Sequence, residues 1–175
     1  HVSWLSRYNE IMTSILDLPP FLATRRNHAV EHATLKVLAR KYNDKNLAGH
    51  SNPTGFFLFG DMTTEDIRTS IHEAMTRLRA GEHDLAIHPG CGTNLATSMV
   101  LPASFAWIPF QGTRSLRWRL LLIPVALGFA LFGYVLSKPL GPWLQRNVTT
   151  QADLGNLQLM EIIHVRKGVH RIITK

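Results

Sequence analysis

Two stretches of this chain contain no aspartate, glutamate, lysine or arginine: residues 89–113 and residues 120–137. Each approaches the roughly 20 apolar residues that a helix needs to cross a bilayer core of about 30 Å. One such stretch alone also describes the buried helix of a soluble domain. Two in tandem, joined by a short loop carrying Arg114, Arg117 and Arg119, are expected to form a two-helix transmembrane hairpin over residues 95–137. The second arm, LLLIPVALGFALFGYVL at 120–136, is the stronger. The first, at 95–110, carries Pro102 and Pro109 with Thr97, Ser98 and Ser104, so it is expected to kink or to lean on a neighbour. Trp107, Trp118 and Trp143 lie near the expected ends, where indole rings favour the interface. The loop arginines argue for a cytoplasmic loop, but Arg79, Lys138 and Arg146 on the flanks nearly balance them, and the orientation stays open.

The flanking segments are polar and patterned. Apolar residues recur at helical spacing over residues 4–18 and stop at Pro19-Pro20, which sets apart an N-terminal amphipathic helix within residues 1–23. A second helix is expected from an N-cap at Thr24 to Tyr42. A turn at 51–55 leads into a short buried strand at 56–59. Thr63 with Asp66 three residues on is an acidic capping box; Ile67, Ile71, Ala74 and Leu78 then form one apolar stripe ended by Gly81. Residues 85–87 read as another short strand, and 157–166 with 169–174 as a hairpin around Lys167-Gly168. The expected architecture is therefore α+β. A small mixed sheet with helices, built from residues 24–94 and completed by 138–175, is interrupted by the hairpin.

Charge and cysteine content narrow the function. The formal charge is +7, but the basic residues are scattered and the densest group lies between the apolar stretches. Lipid headgroups explain that distribution better than nucleic acid, which wants one basic face with interleaved aromatics. A single cysteine, Cys91, rules out an intrachain disulfide framework. The first residue is His1 rather than Met, so a signal peptide or further anchor upstream is compatible with the sequence.

The sharpest chemical signal is His28-Ala29-Val30-Glu31-His32, an H-x-x-E-H motif on an expected helix. Positions i and i+4 share a helix face, so both imidazoles can reach one metal ion, and Glu31 is placed to activate a bound water. The same order is the inverzincin arrangement of certain zinc peptidases. His28 and His32 share the face of Leu35, Leu38 and Ala39, where a neutral imidazole needs a metal or a hydrogen-bond partner. A second cluster, His88-Pro89-Gly90-Cys91, sets imidazole and thiol three residues apart, which suits a tetrahedral site. Its plain alternative is a turn in which Thr93 or Asn94 caps the next helix and Cys91 is a small apolar residue. His28, His32, His88 and Cys91 together make a four-ligand set, with zinc or another transition metal as the expected ion. His83 is expected to be solvated and His72 to pack beside the apolar stripe of its helix, while His164 and His170 have no partner assignable from sequence.

With these motifs in view, the chain resembles an uncharacterised bacterial family of small membrane proteins. The likeness rests on NHAVEH at 27–32, PTGF at 53–56, RAGEH at 79–83, HPGCGTN at 88–94 and PLGPWLQRNVTT at 139–150. A second uncharacterised membrane family shares the pairing of a His-x-x-Glu-His helix with an H-P-x-C-G-T turn. The resemblance implies that the two clusters belong to one site and brings no reaction with it. The expected function is a non-catalytic accessory subunit or assembly factor of a larger complex in the bacterial cytoplasmic membrane. The bilayer and partner subunits would be its partners. The alternative is a membrane-tethered zinc hydrolase with Glu31 as catalytic base.

Overall fold

The computed structural model describes residues 15–43 and 46–175, and the chain forms two compact units. The first comprises the residues up to His88 together with Arg146–Lys175; the second is Pro89–Gln145. The helix expected over residues 4–18 lies almost wholly outside the described residues.

The first unit opens with helix α1 (Pro19–Ala39), which begins at Pro19 and not beyond an N-cap at Thr24. Two prolines at the first helical positions start this helix, because their missing N–H groups would be unbonded there anyway. Thr24 Oγ1 instead donates to the Pro20 carbonyl at 2.8 Å from inside the helix. Arg40 is the C-cap, so the helix stops short of Tyr42.

Strands β1 (Ala48–Asn52) and β2 (Gly55–Phe59) form a tight hairpin. Gly55 adopts φ +135°, and a Cβ there would lie 2.0 Å from the Ile172 carbonyl, so only glycine fits. Helix α2 (Thr64–Arg79) forms over the expected residues: Thr63 accepts from the Asp66 N–H, and Ile67, Ile71, Ala74 and Leu78 are buried. Strands β3 (Leu159–Arg166) and β4 (Val169–Thr174) meet at the Lys167-Gly168 turn.

The four strands form one sheet in the order β1-β2-β4-β3. Every neighbouring pair is antiparallel, which corrects the expected mixed sheet. Residues 85–87 are not a strand: Leu85 and Ala86 lie in a 3₁₀ turn (His83–Ala86), and β1 occupies the sheet edge they would have needed. The β1 sequence, AGHSN, has no β-branched or aromatic residue and gives no strand signal. Phe56, Leu58, His170 and Ile172 face inward and are buried with Ala29, Val30, Ala33 and Leu38 of α1. This core holds α1 against the sheet and α2.

The second unit contains α3 (Gly92–Trp107), a 3₁₀ turn (Ile108–Phe110), α4 (Leu116–Leu121) and α5 (Ile123–Leu144). Helix α5 runs on into a π-helical turn (Gln145–Thr149). Among the described residues one helix, Ile123–Thr149, is long and apolar enough to cross a membrane, where a pair was expected. Helix α3 has 16 residues, or about 24 Å, and gives way at Pro109 to a 3₁₀ turn short of the roughly 30 Å of a bilayer core.

Packing within this unit inverts the pattern of the first. Helices α3 and α5 lie against each other, yet they bury only Thr97, Ala126, Gly133, Ser137 and Gly141. A Cβ on Gly133 would come within 3.0 Å of the Leu101 carbonyl and of Pro102 Cα, so the two backbones touch. The bulky side chains Leu95, Met99, Leu127, Leu131, Phe132 and Val135 point outward. Small residues inside and large apolar residues outside is the arrangement that lipid-facing helices use.

Candidate metal centre

One face of α1 carries a ladder of donors. Arg25, His28, His32 and Lys36 follow at spacings of three and four, so they lie in one stripe along the helix. Each reaches a backbone carbonyl on a neighbouring segment. Arg25 Nη2 donates to Asn147 O at 3.2 Å and to Thr150 O at 3.4 Å. His28 Nδ1 lies 2.9 Å from Thr149 O, and His32 Nδ1 lies 2.8 Å from Ala86 O. Lys36 Nζ donates to Asp84 O at 2.7 Å. Burial lowers the pKa of Arg25 from its ordinary value against the pull of Asp17, and lowers that of Lys36 against Asp84.

The two imidazole contacts determine the tautomer. A carbonyl oxygen only accepts, so each Nδ1 carries a proton. A backbone carbonyl that orients Nδ1–H is the outer-shell arrangement of metal-binding histidines. The rings of His28 and His32 are 4.1 Å apart between centroids, with ligand atoms within 4.8 Å. Two nitrogens bound to one tetrahedral zinc lie roughly 3.4 Å apart, and atoms within 4.8 Å of each other are near enough to serve one ion. His32 is buried and His28 half-buried. His88 adds a third imidazole, with its centroid 5.7 Å from that of His32. His28 and His32 are placed so that they could share a metal ion; nothing in the geometry selects which metal.

The other expected ligand and the expected base stand differently. Cys91 belongs to the second unit, where it is buried, N-caps α3 and accepts from the Thr93 N–H through sulfur at 3.4 Å. The cap is thus the cysteine itself and not Thr93 or Asn94. Glu31 is buried at 3 % exposure, and its carboxylate accepts a hydrogen bond from Ser51 on β1. It packs so closely on Gly49 that a Cβ there would lie 2.3 Å from Glu31 Oε1. Glu31 therefore ties α1 to the sheet.

Sequence reasoning missed the supporting groups. Asn27 is fully buried; its amide donates to Asn52 O at 2.9 Å and accepts from Thr174 Oγ1 at 2.6 Å. An asparagine next to the first histidine was the available signal. The carbonyls of Ala86 and Thr149 had none, because backbone acceptors leave no trace in residue type. Among the other histidines, His164 and His170 form a cross-strand pair with centroids 4.9 Å apart. His170 Nε2 lies 3.3 Å from Thr64 Oγ1, and its buried Nδ1 has no partner among the described residues.

Residues 23–162 match the family model described as a domain of unknown function, DUF6391. An uncharacterized protein of Picosynechococcus sp. is 34% identical over 159 residues, covering 83% of this chain and 74% of that protein. No solved structure matches.

Proposed function

We propose that this chain, which belongs to the DUF6391 family, is an integral membrane protein with a structural metal centre, acting as a non-catalytic accessory subunit or assembly factor of a larger membrane complex. The observation that carries the reading is the pair of Nδ1–carbonyl contacts of His28 and His32, the outer-shell support that metal-binding histidines use. His28, His32 and His88 would hold zinc or another transition metal. Cys91, three residues after His88, is the proposed fourth ligand on the strength of that spacing. Four protein ligands close the coordination sphere, as in structural sites.

The position of the two carbonyls supports a structural role. Ala86 lies on the last segment of the first unit before the insertion, and Thr149 on the first segment after it. A metal on His28 and His32 would stiffen the rings that hold both segments to α1. The alternative, a membrane-tethered zinc hydrolase, requires the Glu31 carboxylate to serve a metal-bound water, whereas Ser51 and Gly49 engage it from the sheet. Membrane insertion is supported by the Ile123–Thr149 helix and by the outward leucines, valines and phenylalanines of α5.

The test is purification in mild detergent, with elemental analysis and identification of co-purifying proteins. About one metal per chain is expected, lost in His32→Ala, with Glu31→Gln retaining the metal and every partner. Metal-free protein would refute the centre. An activity abolished by Glu31→Gln with the metal retained would replace this reading by the hydrolase.

A further inference from the structure

The second unit holds an open cavity of about 460 Å³, lined by Asn94, Leu95 and Ser98 of α3 and by Ser137, Lys138 and Pro142 of α5, among others. Its charge setting is unusual. Between Pro89 and Gln145 the sequence has Arg114, Arg117, Arg119 and Lys138 but no aspartate or glutamate, so nothing within the unit neutralises Lys138. Lys138 is also the one charged residue of α5.

The level of that lysine follows from length. Within α5 the charge-free run Ile123–Ser137 gives about 22 Å of helix, so with the reach of its own side chain Lys138 comes to the edge of a hydrocarbon core of roughly 30 Å. The Lys138 ammonium, which lies 4.3 Å from the centroid of the Tyr134 ring, therefore falls at headgroup depth, with Trp143 exposed nearby in the chain. Leu95 and Met99, one turn apart and both exposed, continue an apolar stripe along α3 from the cavity.

The hydroxyls refine the chemistry. Ser98 Oγ donates to Leu95 O at 2.8 Å, and Ser137 Oγ donates to Tyr134 O at 2.7 Å. Each hydroxyl proton is thus committed to its own helix, leaving oxygen lone pairs that accept. A fitting headgroup carries a negative charge for Lys138 and O–H groups to donate to serine. Its acyl chain would follow Leu95 and Met99.

We infer that this cavity binds the headgroup of an anionic, hydroxyl-bearing glycerophospholipid of the phosphatidylglycerol class. The inference rests on the proposed membrane insertion of α5 and is independent of the metal. The full chain, in mild detergent, would be equilibrated with equal amounts of dioleoyl phosphatidylglycerol, phosphatidic acid and phosphatidylcholine, re-purified, and its retained lipid quantified by mass spectrometry. About one phosphatidylglycerol per chain is expected, with phosphatidic acid below it and phosphatidylcholine near background. Lys138→Gln should retain about fivefold less, while Lys138→Arg and Arg117→Gln should retain the wild-type amount. Equal retention of all three lipids, or wild-type retention by Lys138→Gln, would overturn the site. Displacement of the lipid by millimolar inorganic phosphate would make free phosphate the ligand and overturn the lipid assignment. Carbonate extraction of the membranes separates the two readings: a chain released by carbonate refutes the insertion, whereas a chain retained without bound phosphatidylglycerol refutes only the site.

Discussion

Glycine 49 offers a direct test of what Glu31 does. The residue sits on β1, where a Cβ would lie 2.3 Å from Glu31 Oε1, 2.5 Å from Cδ and 2.6 Å from Cγ. Ordinary contacts to carbon begin about an ångström further out, so Gly49→Ala forces the Glu31 side chain, the β1 backbone or α1 to move. Glu31 cannot swing into solvent cheaply, because it is 3 % exposed and accepts from Ser51. Overpacking of this kind costs ~1–3 kcal/mol. For a unit of this size, 2 kcal/mol lowers the melting temperature by roughly 8 °C. The measurement is urea unfolding followed by circular dichroism in detergent, on wild type, Gly49→Ala, Glu31→Ala and the double variant. Because the two side chains would occupy one space, the double variant should be at least ~1 kcal/mol more stable than additivity predicts. A Gly49→Ala variant within ~0.5 kcal/mol of wild type, or strict additivity in the cycle, would mean that Glu31 does not press on β1. The hydrolase reading, with Glu31 as base, would then regain its place.

Other consequences follow from particular groups. Burial, with His164 second, pushes the His170 pKa below its ordinary 6.5. The folded state therefore resists a proton that the unfolded chain accepts. Its stability is complete above about pH 6.5 and falls as the pH drops from there through the folded pKa, by at most ~1.4 kcal/mol per unit; His170→Phe should flatten that slope in denaturant titrations between pH 7 and 5. Gly55→Ala combines a φ of +135° with a Cβ 2.0 Å from the Ile172 carbonyl, and soluble, cooperatively unfolding protein from this variant would contradict the hairpin geometry. Gly133→Leu should split the α3–α5 packing, seen as lost protease resistance in detergent, while Gly128→Leu, with open space at its Cβ, should behave as wild type.

Much of the architecture could be read from residue patterns, and the exceptions share a cause. The capped helix α2 and the β3–β4 hairpin were legible because their signals are local: a threonine before an aspartate, a stripe at helical spacing, a glycine in a two-residue turn. Strand β1 was not, because its residues have no strand preference and it exists only through pairing with β2. The 3₁₀ turn at His83–Ala86 failed for the converse reason: Leu85 and Ala86 look like a strand, but β2 is already paired on both sides, with β1 and β4. The histidine pair was visible in its spacing. What orients it was not, since the acceptors are carbonyls more than fifty residues away in sequence from His28 and His32.

That separation bears on why a small unit would keep a metal. The first unit is assembled from two pieces with about 57 residues inserted between them, and closing so long a loop costs on the order of 3–4 kcal/mol in chain entropy. A domain with a net stability of ~5–15 kcal/mol cannot ignore that amount. The carbonyl contacts of Arg25, His28, His32 and Lys36 lie at the two ends of the break, and such hydrogen bonds return only ~0.5–1.5 kcal/mol each, or ~1.5–3 kcal/mol where the donor is charged. A metal shared by His28, His32 and His88 would link α1 directly to the outgoing end and, through the His28 ring, fix the returning one. Chelation should then act first at the break. Treatment with EDTA is expected to open the chain around residues 86–90 and 145–150 to a protease while the Thr64–Arg79 helix and the β3–β4 hairpin stay protected. Uniform loss of protection, or no change at any of these positions, would show that no metal closes the junction.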